Sequence, residues 1–177
     1  EETTYVPDDN FEQALIDLGY DDVLDNYVVT DSISGVTELV VAEKEISDLT
    51  GIEDFIALTH LNCRTNALVG LDVSNNTLLT YLHAGSNQLT DLDVSQNTEL
   101  TTLWVGFNSL DSLDVNANTA LIDLRVPGNQ LTSIDVSTNI ALEHLDLWVN
   151  QLTTLDVNIN TALTTLKASN NDIVALD

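Results

Sequence analysis

Leu79 to Glu99 reads LTYLHAGSNQLTDLDVSQNTE, and Leu100 to Ala120 reads LTTLWVGFNSLDSLDVNANTA, the same pattern one 21-residue period later. The first half of each unit is Leu, two free residues, Leu, one free, an apolar residue, two free, Asn, one free, Leu. Leu58, Leu61, Cys63, Asn66 and Leu68 give the first full copy, and the register recurs from Leu79, Leu100, Leu121, Leu142 and Leu163 without an insertion. Val36, Leu39, Val41, Lys44 and Ile46 form a looser copy ahead of them. A unit this short cannot bury its own apolar side chains, so successive units must stack into one continuous core.

Each copy has a second half, Leu-Asp-Val with Asn three residues later, as in Leu71, Asp72, Val73 and Asn76. The first half carries the leucine-rich repeat signature. The wording LTxLDVSxNTALTxL resembles the short secreted leucine-rich repeats of Bacteroidetes bacteria, over Val36 to Asp177. The leader YVPDDNFEQALIDLGYDDVLDNYV, Tyr5 to Val28, looks like that family's N-terminal cap. The expected fold is a repeat solenoid of the leucine-rich repeat horseshoe class, with a helical cap over residues 1–35 and repeats over 36–177. One parallel β-sheet lies on one face and short extended segments on the other, because too few residues join successive halves for a full helix and its turns. A parallel β-helix is the alternative, since both halves read LxLxxN.

In the leader, Asp9 followed by Glu12 suggests a capping box, and Phe11, Leu15 and Leu18 recur at helical spacing before Gly19. At the other end the chain reaches Asp177 midway through a Leu-Asp-Val half. The expectation there is that the native chain continues or that this uncapped end packs on a copy of itself; the resemblance implies further repeats and a C-terminal secretion signal downstream.

Net charge is −25, from 29 acidic against four basic side chains, which disfavours nucleic acid and anionic membranes as partners. An apolar content of 44% argues for a folded chain. No apolar run approaches a membrane span. The single cysteine, Cys63, excludes an internal disulfide and stands where other copies carry Ala, Val or Leu, as a buried structural thiol would.

Alternation along a strand turns the apolar residues of LxLxx inward and the residues between them outward. Stacking builds three outward columns. The first runs Glu38, His60, Tyr81, Thr102, Asp123, His144, Thr165. The central one runs Val40, Asn62, His83, Trp104, Arg125, Asp146, Lys167, and the third Ala42, Arg64, Gly85, Gly106, Pro127, Trp148, Ser169. They hold all three His, both Trp and every cation except Lys44. Exposed Trp and Arg are favoured at binding surfaces, so the ligand-binding candidates are His60, Asn62, Arg64, Tyr81, His83, Trp104, Asp123, Arg125, His144, Asp146, Trp148 and Lys167.

A strand spacing of about 4.8 Å gives this face a span of roughly 29 Å. Gly85, Gly106 and Pro127 leave shallow ground beside the Trp pair. Arg125, Asp146 and Lys167 are also placed to neutralise one another along the sheet, and His144 stands beside Asp123. No nucleophile accompanies that His and Asp, and the three His are too scattered for zinc, so neither an enzyme nor a cofactor is expected.

Asp72, Asp93, Asp114, Asp135, Asp156 and Asp177 form a ladder of like charges. Hydrogen bonds to the Ser or Asn two residues on are the simpler way to hold it, and calcium is the alternative. Asn66, Asn87, Asn108, Asn129, Asn150 and Asn171 form a second ladder, and Asn76, Asn97, Asn118, Asn139 and Asn160 a third. Both are expected to turn inward and bond backbone. The functional expectation is an extracellular or cell-surface binding module for a protein partner or adhesion. Polysaccharide binding through Trp104, Trp148 and Tyr81 is the alternative.

Overall fold

The structure, a computed structural model, describes residues 2–176. Strand β1 (Thr3–Tyr5) pairs antiparallel with β2 (Tyr27–Val29), with helix α1 (Asp9–Asp17) between them and a short helix α2 (Thr30–Ile33) following. Then come β3 (Glu38–Val40), a 3-10 turn at Ile52–Asp54, β4 (His60–Asn62), β5 (Tyr81–His83), β6 (Thr102–Trp104), β7 (Asp123–Arg125) and β8 (His144–Asp146). The last elements are β9 (Thr154–Leu155), β10 (Thr165–Lys167) and β11 (Ala175–Leu176).

Strands β3 to β8 and β10 form one seven-stranded parallel sheet in chain order. Its register aligns Leu39, Leu61, Leu82, Leu103, Leu124, Leu145 and Leu166. This is the solenoid expected from the period, with every outward column in place. One detail differs. On the other side of the coil β9 and β11 pair in parallel, so the last two turns carry a second, two-residue sheet where only extended segments were expected. That is the β-helix alternative expressed locally, because Leu155 and Leu176 hold the same place in successive Leu-Asp-Val halves.

The core is a column of side chains rather than a globule. Leu58, Leu61, Cys63, Leu68 and Val73 are fully buried, as are their counterparts through Leu152, Val157 being only partly covered, and each buried Leu contributes about 1.5–3 kcal/mol relative to exposure. In the last turn Leu163, Ala168 and Ile173 are only partly covered and Leu166 is exposed.

Both Asn ladders turn inward as expected, but they work differently. Asn108 donates to the carbonyls of Ala84 and Val105 and accepts from the amide of Leu89 at 3.0 Å, so it splices neighbouring turns through both ends of its amide. Asn118 donates to the carbonyls of Val94 and Asn97, both at 2.9 Å, while its Oδ1 is buried without a partner. Asn76, Asn97, Asn139 and Asn160 repeat that half-satisfied arrangement.

The helix begins one residue earlier than the capping-box reading placed it. Asp8, not Asp9, is the N-cap, accepting from the amides of Asn10 and Phe11. Glu12 does not reach back to close a box. It is buried and accepts instead from the amides of Asp25 and Tyr27, pinning the chain that returns to β2. Leu18 is exposed rather than part of the inward stripe, because the helix has ended there: the amides of Gly19 and Tyr20 bond the carbonyls of Ile16 and Leu15, with Gly19 at φ +81°. Phe11 packs towards Phe55 of the first turn, ring centroids 6.4 Å apart, so α1 does lie over the end of the coil.

Candidate binding face

Three-residue strands hold only the first two outward columns. The third lies just past each strand end, where the ladder continues through bonds such as Cys63 amide to His83 carbonyl and Thr65 amide to Gly85 carbonyl. The backbone then turns through the left-handed region at Thr65, Ser86, Phe107, Gly128, Val149 and Asn170. At Thr65, Ser86 and Phe107 this turn brings further side chains to the same face, which the alternation rule does not include.

The columns bring an aromatic run together on β4, β5 and β6. His60 stacks on Tyr81 at 5.6 Å between centroids, and the edges of Tyr81 and His83 meet Trp104 at 5.5 and 5.1 Å. The guanidinium of Arg125 lies over the Trp104 ring, 4.4 Å from its centroid. That places one ring face under a cation, an arrangement contributing roughly 0.5–2 kcal/mol. The Trp104 indole N–H has no acceptor among the described residues.

Beside this run opens a groove of about 330 Å³, lined by Arg64, His83, Trp104, Phe107, Arg125 and Pro127, with Gly85 and Gly106 in its floor. The shallow ground expected beside the Trp pair is therefore present. A Cβ on Gly106 would sit 2.7 Å from the Pro127 ring, so the floor is closely packed and excludes a larger side chain there. Phe107, 55% exposed, forms the groove's outer wall and meets Trp148, 40% exposed, edge to face at 6.4 Å. Sequence reading missed Phe107. The signal was an aromatic residue in a position that other turns fill with Thr, Ser, Gly, Val or Asn.

The charged residues distribute themselves differently from the expected chain along the sheet. Arg125 bonds Asp123 on its own strand through Nε and Nη2, at 2.8 and 2.7 Å, rather than Asp146. Asp146 pairs with Lys167 at 3.4 Å, as expected, and Arg64 pairs with Glu43 at 2.6 Å. Asp123 stands in register with His144 but gives both oxygens to Arg125. Asn62 accepts from the amide of Arg64. Burial, together with the charges of Arg64 and Arg125, lowers the pKa of His83 and disfavours its charged form.

On the opposite side the Asp ladder uses the hydrogen-bonded solution. Asp72, Asp93, Asp114, Asp135 and Asp156 each accept from the backbone amide two residues on, at 2.8 to 3.0 Å. The side chain and amide of Ser74 lower the pKa of Asp72, against a raising contribution from Asp93, the rung beside it. Asp177, the last rung, lies outside the described residues. No group of three metal-binding side chains occurs among the described residues.

Cys63 is fully buried in the core, and desolvation pushes its thiol up to about 12. Thiol reagents should therefore label it at the rate of unfolding and not before. Fast labelling of the folded protein at neutral pH would contradict this placement.

No protein-family model matches the chain, and no curated protein matches it. Solved structures do. The functional domain of InlJ from Listeria monocytogenes, which includes a cysteine ladder, is 30% identical with a TM-score of 0.64 over 99% of this chain and 49% of that one. A leucine-rich repeat protein of Leptospira interrogans is 26% identical with a TM-score of 0.76, over 84% of this chain and 41% of that one. The leucine-rich repeat domain of APL1B is 27% identical with a TM-score of 0.74, over 82% of this chain and 47% of that one. The chain thus spans less than half the length of each of these proteins. Period, Leu and Asn columns and these likenesses together define a leucine-rich repeat solenoid. No helix among the described residues is long and apolar enough to cross a membrane.

Proposed function

We propose that the protein is a non-enzymatic binding module of the extracellular space or cell surface, taking a protein partner on its sheet face. The observation that carries this is the contiguous surface of His60, Tyr81, Trp104 and Arg125 beside an open groove walled by Phe107. Rigid aromatic and arginine side chains around a partly desolvated hollow are the composition of interaction hot spots. The extracellular setting is supported by the resemblance of the repeats to the secreted Bacteroidetes type.

Polysaccharide binding keeps one observation in its favour, the exposed ring of Trp148. Against it, Arg125 covers a face of Trp104, where a sugar ring would have to stack. Both Trp residues belong to this face, so intrinsic fluorescence reports it directly. Titration with a polysaccharide panel should leave the emission unchanged. A saturable change that disappears in Trp148→Ala would transfer the assignment to carbohydrate.

For a captured protein partner, Trp148→Ala and Phe107→Ser should each weaken binding roughly thirtyfold, about 2 kcal/mol. Val69→Ser, away from the sheet columns, should not weaken it. A partner equally sensitive to Val69→Ser would place the contact on the other side of the coil.

A further inference from the structure

Charge sets the groove at Trp104 apart from other hollows on the coil. The chain carries −25, and the hollows on the Leu-Asp-Val side are lined by carboxylates: Asp91, Asp93 and Asp114 in one, Asp135 and Asp156 in another. The small hollow at the β3 end of the sheet face holds Glu38. The Trp104 groove, unlike these, has no Asp or Glu in its lining, and it is lined by two of the four cations, Arg64 and Arg125. Their carboxylate partners, Glu43 and Asp123, are not in that lining.

Both guanidinium groups also keep donors in reserve. Arg125 spends Nε and Nη2 on Asp123, and its Nη1 has no bond among the described residues. Arg64 spends Nη2 on Glu43, with Nε and Nη1 likewise unbonded. A guanidinium fixed on one side by a carboxylate is oriented rather than consumed, since it has five N–H donors in a rigid plane. The depressed pKa of His83, lowered after burial by Arg64 and Arg125, is a second sign that their charge is felt inside the groove.

We infer that this groove receives an aspartate or glutamate side chain from an extended segment of a protein partner whose flanking residues are basic. The inference rests on the sheet-face reading above and deepens it. A volume of about 330 Å³ suits one or two side chains rather than a folded element. Contact surface continues on both sides, through His60 and Tyr81 toward β4 and through Trp148 toward β8, so a segment passes across the groove and does not end in it. The acidic residue supplies local charge pairing at Arg64 and Arg125. Basic flanks answer the surrounding field of a strongly negative protein, which would repel a uniformly acidic segment and draw in a basic one.

The test is selection of a displayed random-peptide library against the intact chain, with counter-selection on an unrelated acidic protein, the enriched peptides then being measured on Arg64→Gln, Arg125→Gln and the double variant. Enriched sequences should share an Asp or Glu at one position, an aromatic or aliphatic neighbour, and Lys or Arg around them. Synthetic copies with amidated C-termini should bind, lose roughly tenfold or more on Arg125→Gln, and bind faster at low salt. Arg64→Gln should melt with the parent, and Arg125→Gln should melt slightly lower for loss of its Trp104 and Asp123 contacts while remaining folded at the assay temperature.

Peptides indifferent to the arginine variants but lost on Phe107→Ser and Trp148→Ala would overturn the carboxylate inference and leave the sheet-face reading standing. Peptides indifferent to all four substitutions would overturn both. Binding that requires a free C-terminus would replace the side chain by a chain terminus. A library that yields no binder, or binders sharing no acidic position, also overturns the inference.

Discussion

Leucine in place of Asn118 should destabilise the solenoid by about 1–3 kcal/mol, because two buried carbonyls each lose a side-chain hydrogen bond of roughly 0.5–1.5 kcal/mol and keep only the backbone amide that they also accept. Asn118 is fully buried, and its Nδ2 is the side-chain donor to Val94 and Asn97. Leucine matches its size closely enough that packing is disturbed less than bonding. Asn118→Asp should be worse at neutral pH. It keeps the shape but puts a second oxygen against the same carbonyls, and a buried charge with no cation beside it. Because the Oδ1 of Asn118 has no partner, the whole contribution resides in the donor end, and acidification should recover part of the Asp variant's loss by restoring a donor. Urea melts of the two variants decide this. Equal stability of Asn118→Leu and the parent would mean that the ladder is filler. Partner binding to folded Asn118→Leu should be unchanged, since the bonds lie in the Leu-Asp-Val halves and away from the Trp104 groove.

The same ladder shows what was legible in the chain. Period, inward columns and outward columns follow from Leu spacing alone, since a one-residue slip would reverse every side chain in a unit. The Asp ladder was equally readable, since Ser or Asn two residues on supplies the amide that each carboxylate accepts. Three features needed the third dimension. Phe107 joins the face only because the backbone turns left-handed there, and alternation says nothing past the strand end. Arg125 selects Asp123 over Asp146 because the two oxygens of a side chain two residues back on its own strand meet its Nε and Nη2 together, a bidentate fit that column neighbours do not reveal. The pairing of β9 with β11 places Leu176 beside Leu155, a ladder between successive Leu-Asp-Val halves that their sequence does not distinguish from the halves left unpaired.

Asp8→Ala should cost about 2–3 kcal/mol and loosen the N-terminal cap from the coil, adding a lost helix cap to lost tertiary bonds. Asp8 Oδ1 caps α1, while Oδ2 accepts from the amide and hydroxyl of Ser47 and the amide of Asp48, so one carboxylate ties the helix to the first turn. Asp8→Asn separates the roles. It keeps an oxygen for the helix amides but offers an NH2 where Ser47 and Asp48 donate, so it should recover the helix cap and not the tie. Burial raises the Asp8 pKa, yet the bonds from Ser47, Phe11 and Asp48 together outweigh it and hold the group below its ordinary 3.8. A carboxylate depressed by folding contributes its full stability above the unfolded value and loses it as pH falls through the folded one. The parent should therefore lose cap stability below about pH 4, and Asp8→Asn should lack that component. Hydrogen exchange at Leu18, whose amide bonds the Ala14 carbonyl within the cap, and at Ile46 reads the cap: protection lost in Asp8→Ala, while Leu124 keeps its own, would show a cap that opens locally ahead of the stack. Simultaneous loss at all three would mean that cap and repeats unfold as one unit. In a coil whose turns contact only their neighbours, local opening is the expected result, because weakening at one end propagates only as far as the turns beneath it fail to hold themselves.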